Sequence, residues 1–313
     1  MKLVVTGALG HIGSRLIHSL RPEEYREVVL LDDLSAQRQN ALFDLPGGIH
    51  WRFIETDVAS GAVNLEEIFA GAHTVVHLAA ITNAEASFDI QQEVERVNHA
   101  GTERVARACN AAGCRLLFLS TTSVYGISSG VVDERCPPEQ LKPQSPYAES
   151  KLRAERMLAE LGRTAGLRFF CGRFGTVYGP SAGMRFHTAV NRFIWQACFH
   201  QPLTVWRTAL EQRRPYLDLG DAVEAIRFVI REDLFDGGIY NVATDNLTVQ
   251  QIIDAIRRHV PDLRIELVDR RVMNQLSYVV DRAKFEARGF SFKGQLDRGI
   301  GETVRLLAGF ARP

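Results

Sequence analysis

The chain has 313 residues, 46% of them apolar and 24% charged, the balance of one large folded domain or two coupled ones. Lys plus Arg and Asp plus Glu each number 37, which removes any general pull toward nucleic acid or an anionic membrane surface. No uncharged apolar run is long enough to span a bilayer, and residues 1–6 read as a strand rather than a secretory leader.

The run over 2–6 predicts a buried strand. A helix over 11–20 follows, with Ile12, Leu16 and Leu20 on one face. Further strands are expected over 28–31, 51–56, 74–78, 115–120 and 167–173, with helices over 91–112 and 147–161. Repeated strand–helix units with apolar strands predict an α/β fold, a doubly wound parallel Rossmann sheet covered by helices on both faces. After Arg173 the pattern changes. Residues 175–214 read as an insertion with one helix over 189–199. Strands over 216–219 and 239–242 flank a helix over 221–230, and Thr248-Val249-Gln250-Gln251 is a capping box that opens another helix. The expected organisation is a dinucleotide-binding unit over 1–174 and 215–243. A smaller substrate lobe spans 175–214 and 244–313, with the site in the cleft between them.

The five cysteines, Cys109, Cys114, Cys136, Cys171 and Cys198, include no CxxC pair and do not cluster with the nine histidines at ligand spacing. Reduced thiols, a cytoplasmic location and no metal site are expected.

Three motifs carry the chemistry. Gly7-Ala8-Leu9-Gly10-His11-Ile12-Gly13 lies between a strand and a helix, where backbone N–H groups and the helix end can approach a pyrophosphate. Asp32 ends the second strand and can accept hydrogen bonds from ribose hydroxyls. With Asp33 beside it, it repels a 2′-phosphate, so NAD is expected over NADP despite nearby Arg38. Tyr147 and Lys151 stand at i and i+4 on one helix face, in Tyr147-Ala148-Glu149-Ser150-Lys151. A phenol has a pKa of ~10, and a neighbouring ammonium favours the phenolate that a general base needs. Between these lies Ser120-Thr121-Thr122-Ser123-Val124-Tyr125-Gly126.

In this order the motifs resemble the extended short-chain dehydrogenase/reductase family, in its nucleotide-sugar epimerase/dehydratase branch, over nearly the whole chain. The resemblance implies a catalytic set of Thr121, Tyr147 and Lys151, with Lys151 also holding the nicotinamide ribose. It implies cofactor contacts from Gly7, Gly10, His11, Ile12, Gly13, Asp32, Asp33, Asp57, Val58, Leu78, Ala79, Ala80 and Asn98, besides Tyr147 and Lys151. Asn98 reads equally as a helix-bending hydrogen-bonder. On the substrate side it implies Thr122, Ser123, Thr176, Arg214 and Arg271, with Thr176 standing where relatives carry Asn. Relatives that dehydrate carry Asp-Glu just after the catalytic Thr. Here Thr122 and Ser123 stand there, and neither hydroxyl is an easy acid or base at neutral pH.

The reading that follows is an NAD-dependent nucleotide-sugar epimerase acting through a transient 4-keto sugar, with a 4-ketoreductase or dehydrogenase as the alternative. A 4,6-dehydratase and a non-catalytic NAD-bound scaffold rank lower. The resemblance also implies a homodimer through the helices over 91–112 and 147–161, where Ala106, Ala108, Ala154 and Ala159 suit close packing.

Overall fold

The computed structural model describes residues 1–126, 130–269 and 277–310. Seven parallel strands form the main sheet: β1 (Lys2–Thr6), β2 (Glu27–Asp32), β3 (His50–Glu55), β4 (Thr74–His77), β5 (Arg115–Thr121), β6 (Phe169–Phe174) and β7 (Ile239–Val242). Their order across the sheet is β7-β6-β5-β4-β1-β2-β3, so the winding reverses between β1 and β4. Thr6 pairs with Leu31 on one side and His77 on the other, and beyond their carboxyl ends lies the crevice where such sheets hold ligands. One apolar layer gathers Leu3, Val5, Leu16, Leu30 and Val76 on one face, and another gathers Val4, Val29, Val75, Val105 and Phe118 on the other. Strands buried on both faces explain the continuous apolar runs in the sequence.

The helix Pro146–Ala165 is bounded by local chemistry. The Ala148 N–H donates to Ser145 Oγ at 3.2 Å, Pro146 sits in the first turn, and Gly166 ends the helix in the left-handed region at φ 73°. Its inward face carries Ala148, Ser150, Lys151, Leu152, Ala154, Glu155 and Leu158.

The long helix expected over 91–112 is interrupted. An α-helical turn Gln91–Val94 leads into a π-helical segment Glu95–Ala100 before α-helix resumes over Gly101–Ala111. Asn98 lies in the π segment, where its side chain bridges to the chain at Ile81.

A second architecture sits beside the sheet. Thr176–Tyr178 pairs with Arg213–Asp218, which pairs antiparallel with Asp245–Thr248. The expected boundary at residue 215 therefore falls inside a strand of this smaller sheet. Helices Ala189–Cys198, Val249–His259 and Leu296–Ala308 pack around their own apolar cluster, including Ile194, Ile253 and Ile300. The expected capping box is present at Thr248 and Gln251. Part of the C-terminal segment returns to the main sheet: Phe285 and Phe290 stack against each other, and both meet Phe228 edge-on.

Among the described residues no helix is long and apolar enough to cross a membrane. All five cysteines are free. Ala106, Ala108 and Ala154 are buried within the chain's own core, so they are not available to a partner subunit; Ala159 alone of the four is exposed.

Candidate active site

The glycine turn closes tightly on the neighbouring strand. Gly7 has φ 63°, and a Cβ there lies 2.5 Å from the Ala79 nitrogen, so only glycine fits. The helix His11–Ile17 that follows has Gly10 at its N-cap with no side-chain cap and no acidic residue in its first turn. Its first N–H groups face a cleft of about 620 Å³. At the end of β2, Asp32 accepts from the Leu9 N–H at 3.0 Å and the Leu34 N–H at 3.1 Å. Burial pushes the Asp32 carboxyl up, the two N–H donors oppose this, and Asp33 and Arg38 act in opposite directions.

The cleft brings together most of the expected residues. Gly7, Gly10, His11, Ile12, Gly13, Asp32, Asp33, Asp57, Val58, Leu78, Ala79 and Ala80 line it. So do Thr121, Ser123, Tyr147, Lys151, Thr176 and Arg214. Two expectations part from this, and a third lies where the structure gives no description. Asn98 does not line it: its side chain is spent on the Ile81 N–H and carbonyl and on Ser150 Oγ, at 2.8, 2.9 and 3.1 Å, so it reaches the cleft only by holding Ile81. Thr122 also turns away. A 3-10 turn over Thr122–Tyr125 rotates it from the cleft, and its hydroxyl is directed at the Phe174 carbonyl. Arg271 lies outside the described residues.

The reacting end has its own geometry. The Thr121 hydroxyl oxygen accepts from the Ser123 N–H at 3.2 Å, which leaves its O–H to the Tyr147 hydroxyl. The Lys151 ammonium donates to the Leu119 carbonyl at 2.8 Å and lies 4.7 Å from the centre of the Phe118 ring. Burial pushes the Lys151 amine down to about 8, against the opposing pull of Cys171 and Glu155. Burial raises the Tyr147 hydroxyl, while the Thr121 hydroxyl and the Arg185 guanidinium pull it back.

Arg185 belongs to Met184-Arg185-Phe186-His187, a run of the variable lobe expected to touch the sugar through a contact the sequence does not name. It lines the cleft from the smaller architecture and donates to the Thr82 hydroxyl, and its buried Nε has no partner among the described residues. The segment that carries it is docked on the glycine turn. His11 Nε2 bonds the Gly179 carbonyl at 2.7 Å, Ser181 Oγ donates to the His11 carbonyl at 2.9 Å, and the Gly183 N–H donates to Ser14 Oγ at 2.9 Å. A Cβ on Gly183 lies 2.3 Å from the Leu9 carbonyl, so this contact also needs glycine. Burial with Arg185 and Arg38 close by pushes His11 and His187 each down to about 4, so both imidazoles stay neutral near pH 7. Neither histidine therefore adds a positive charge beside the cleft near pH 7. The sequence signal was the short basic run Met184-Arg185-Phe186-His187, which has no fixed spacing to the other motifs.

Residues 3–243 match the family model described as the NAD dependent epimerase/dehydratase family. The chain belongs to that family. It is an enzyme of the extended short-chain dehydrogenase/reductase type, and NAD is the cofactor of the family. It is similar to MoeE5, solved in complex with UDP-glucuronic acid and NAD, at 30% identity and TM-score 0.82, covering 97% of this chain and 98% of that one. It is also similar to the UDP-glucose 4-epimerase of Thermus thermophilus in complex with NAD, at 26% identity and TM-score 0.85, covering 99% of both chains. A third relative is the trifunctional UDP-glucose 4,6-dehydratase/UDP-4-keto-6-deoxy-D-glucose 3,5-epimerase/UDP-4-keto-L-rhamnose-reductase of Arabidopsis thaliana. It is 28% identical over 96% of this chain, and the match spans only 46% of that relative's length. Epimerases and dehydratases of nucleotide sugars both stand among the relatives, so family membership leaves the reaction to be argued from the cleft.

Proposed function

We propose that this enzyme inverts C4 of a nucleotide-linked hexuronate, a sugar with a carboxylate at C5, through a transient 4-keto sugar. The glycine turn, the uncapped helix end and the Asp32 carboxylate at the tip of β2 fit the pyrophosphate and adenosine ribose of NAD. NAD, when bound, supplies a hydride acceptor that can return what it takes. Tyr147 removes the proton of the C4 hydroxyl and later gives it back. Thr121 donates a hydrogen bond to the same oxygen and steadies the charge that develops there. Lys151 holds the cofactor ribose, and the positive charge of Arg185 favours the phenolate. Arg214, at the rim of the cleft, takes the substrate phosphates.

The observation that carries the reading is that Arg185 lines the same cleft as Tyr147, where its positive charge acts on the phenol, and that Thr122 and Ser123 rather than carboxylic acids follow Thr121. Elimination of water across C5 and C6 needs an acid/base pair that Thr122 and Ser123 do not supply. A buried guanidinium lining the cleft, bonded to Thr82 but with its Nε unpartnered among the described residues, supports an anion on the sugar itself. MoeE5 is described with UDP-glucuronic acid and also with UDP-glucose; the guanidinium of Arg185 favours the acidic sugar here.

The test is to incubate the purified enzyme in D2O, without added cofactor, with UDP-glucuronic acid or UDP-glucose and follow the sugar by proton NMR. The expected result is the C4 epimer of the uronate, formed without deuterium at C4, and at least ~10-fold slower conversion of UDP-glucose. Arg185→Met is expected to erase that preference. A 4-keto-6-deoxy product from UDP-glucose makes the enzyme a dehydratase. One-for-one oxidation of added reduced cofactor makes it a ketoreductase, and equal turnover of both sugars removes the role given to Arg185.

A further inference from the structure

Lys151 is not the only functional group on its helix face. One turn further on stands Glu155, fully enclosed, with its side chain 2% exposed. Arg173, at 3% exposure, comes from β6 and clamps it: Nη2 donates to Oε2 at 2.7 Å, and Nε lies 3.1 Å from Oε1 and 3.2 Å from Oε2. The Ser120 hydroxyl donates to the same carboxylate. Lys151 and Glu155 therefore grip consecutive residues of β5, the Leu119 carbonyl and the Ser120 hydroxyl, and the next residue is Thr121.

A buried ion pair replaced by apolar groups often leaves a protein as stable or more so, which makes bare stability a weak reason for this one. Its position supplies another. An amine as enclosed as that of Lys151 loses its proton near neutral pH unless a negative charge stands close by. The groups around it are Cys171 on β6, His77 on β4, Tyr147 and Glu155 on its own helix, and Arg173 behind Glu155. His77 is neutral, held between the hydroxyls of Thr6 and Thr102 at 2.7 and 3.0 Å, and burial keeps the Cys171 thiol protonated. Glu155 is the anion of this set. We propose that Glu155 is a positioning residue that keeps Lys151 charged at neutral pH and sets the strand end bearing Thr121, with Arg173 and Ser120 holding its carboxylate in place.

The inference rests on the reading that Lys151 and Thr121 serve the reaction, so its test needs a readout apart from turnover. Protein labelled at the Cε carbon of lysine shows Lys2, Lys142, Lys151, Lys284 and Lys293 by carbon NMR, and Lys151→Met assigns the buried signal. In Glu155→Gln that signal is expected to titrate at least ~1 pH unit lower than in the wild type, with the alkaline limb of the activity profile moving by the same amount. Glu155→Asp should restore most of both. Should Glu155→Gln fail to fold around the uncompensated Arg173, the variant E155Q/R173M leaves no unpaired charge, and its Lys151 signal is still expected below that of the wild type. An unmoved Lys151 titration in either folded variant overturns the proposal. A moved titration with an unmoved activity profile upholds it and instead removes Lys151 from the reaction.

Discussion

The Lys151 ammonium donates to the carbonyl of Leu119, two residues before Thr121 on β5. The lysine is therefore anchored to the strand that carries the Thr121 hydroxyl. The cation that acts on the Tyr147 hydroxyl is Arg185, delivered from a distant segment of the chain. The i, i+4 spacing of Tyr147 and Lys151 is real, but the two side chains meet different partners.

Replacing Tyr147 by Phe keeps the ring and removes the proton carrier. Turnover is expected to fall ~10²–10⁴-fold with the circular-dichroism spectrum and NAD affinity unchanged. Thr121→Val should lose less, because Thr121 orients and stabilises without carrying the proton. Full activity in Tyr147→Phe would place the base elsewhere.

NAD is expected to bind more tightly than NADP, because the Asp32 carboxylate lines the cleft at the end of β2 and would repel a 2′-phosphate. Arg38 lines the same cleft, so Asp32→Ala should narrow the gap by admitting a 2′-phosphate to its guanidinium. Titration of both cofactors by fluorescence decides it. Tighter NADP binding by the unmodified protein contradicts the role given to Asp32.

Arg214→Ala is expected to weaken nucleotide-sugar binding by ~1.5–3 kcal/mol, the worth of a charge-assisted contact, while NAD binding holds. Calorimetry with each ligand separates the two. Equal weakening of both would mean that the variant disturbs the cleft as a whole.

Acid should destabilise the fold through buried histidine. His77 is pushed from 6.5 down to about 3 by burial and by Lys151. As pH falls from 6.5 toward 3, the unfolded chain gains a proton there that the native state does not, so stability drops across that window. His11, pushed down to about 4 chiefly by burial, adds to the same slope. Chemical denaturation at several pH values should show the loss, and His77→Gln should flatten it.

We expect a homodimer through the outer faces of the helices bearing Glu95 and Arg153, which form an ion pair at the surface. Light scattering at micromolar concentration tests this. The interface must use exposed side chains, because Ala106, Ala108 and Ala154 are enclosed within the protomer.

The sequence by itself determined what short-range spacing controls. Apolar runs placed the strands of the main sheet to within a few residues. The glycine turn, Asp32 and the Tyr147–Lys151 pair were legible because each depends on one element or one junction. Tertiary structure decided the rest. Thr122 and Ser123 are adjacent in sequence, yet the turn after β5 sends one away and keeps the other at the cleft. Asn98 was legible as a helix perturber, and only the fold shows that it is spent on Ile81. Arg185 enters the cleft that holds Tyr147 because residues 179–183 dock on the glycine turn through contacts that span more than half of the chain, and no periodicity encodes such a contact. Glu155 and Arg173 each read as ordinary charges until the fold buries them together, where the loss of water makes their pairing obligatory.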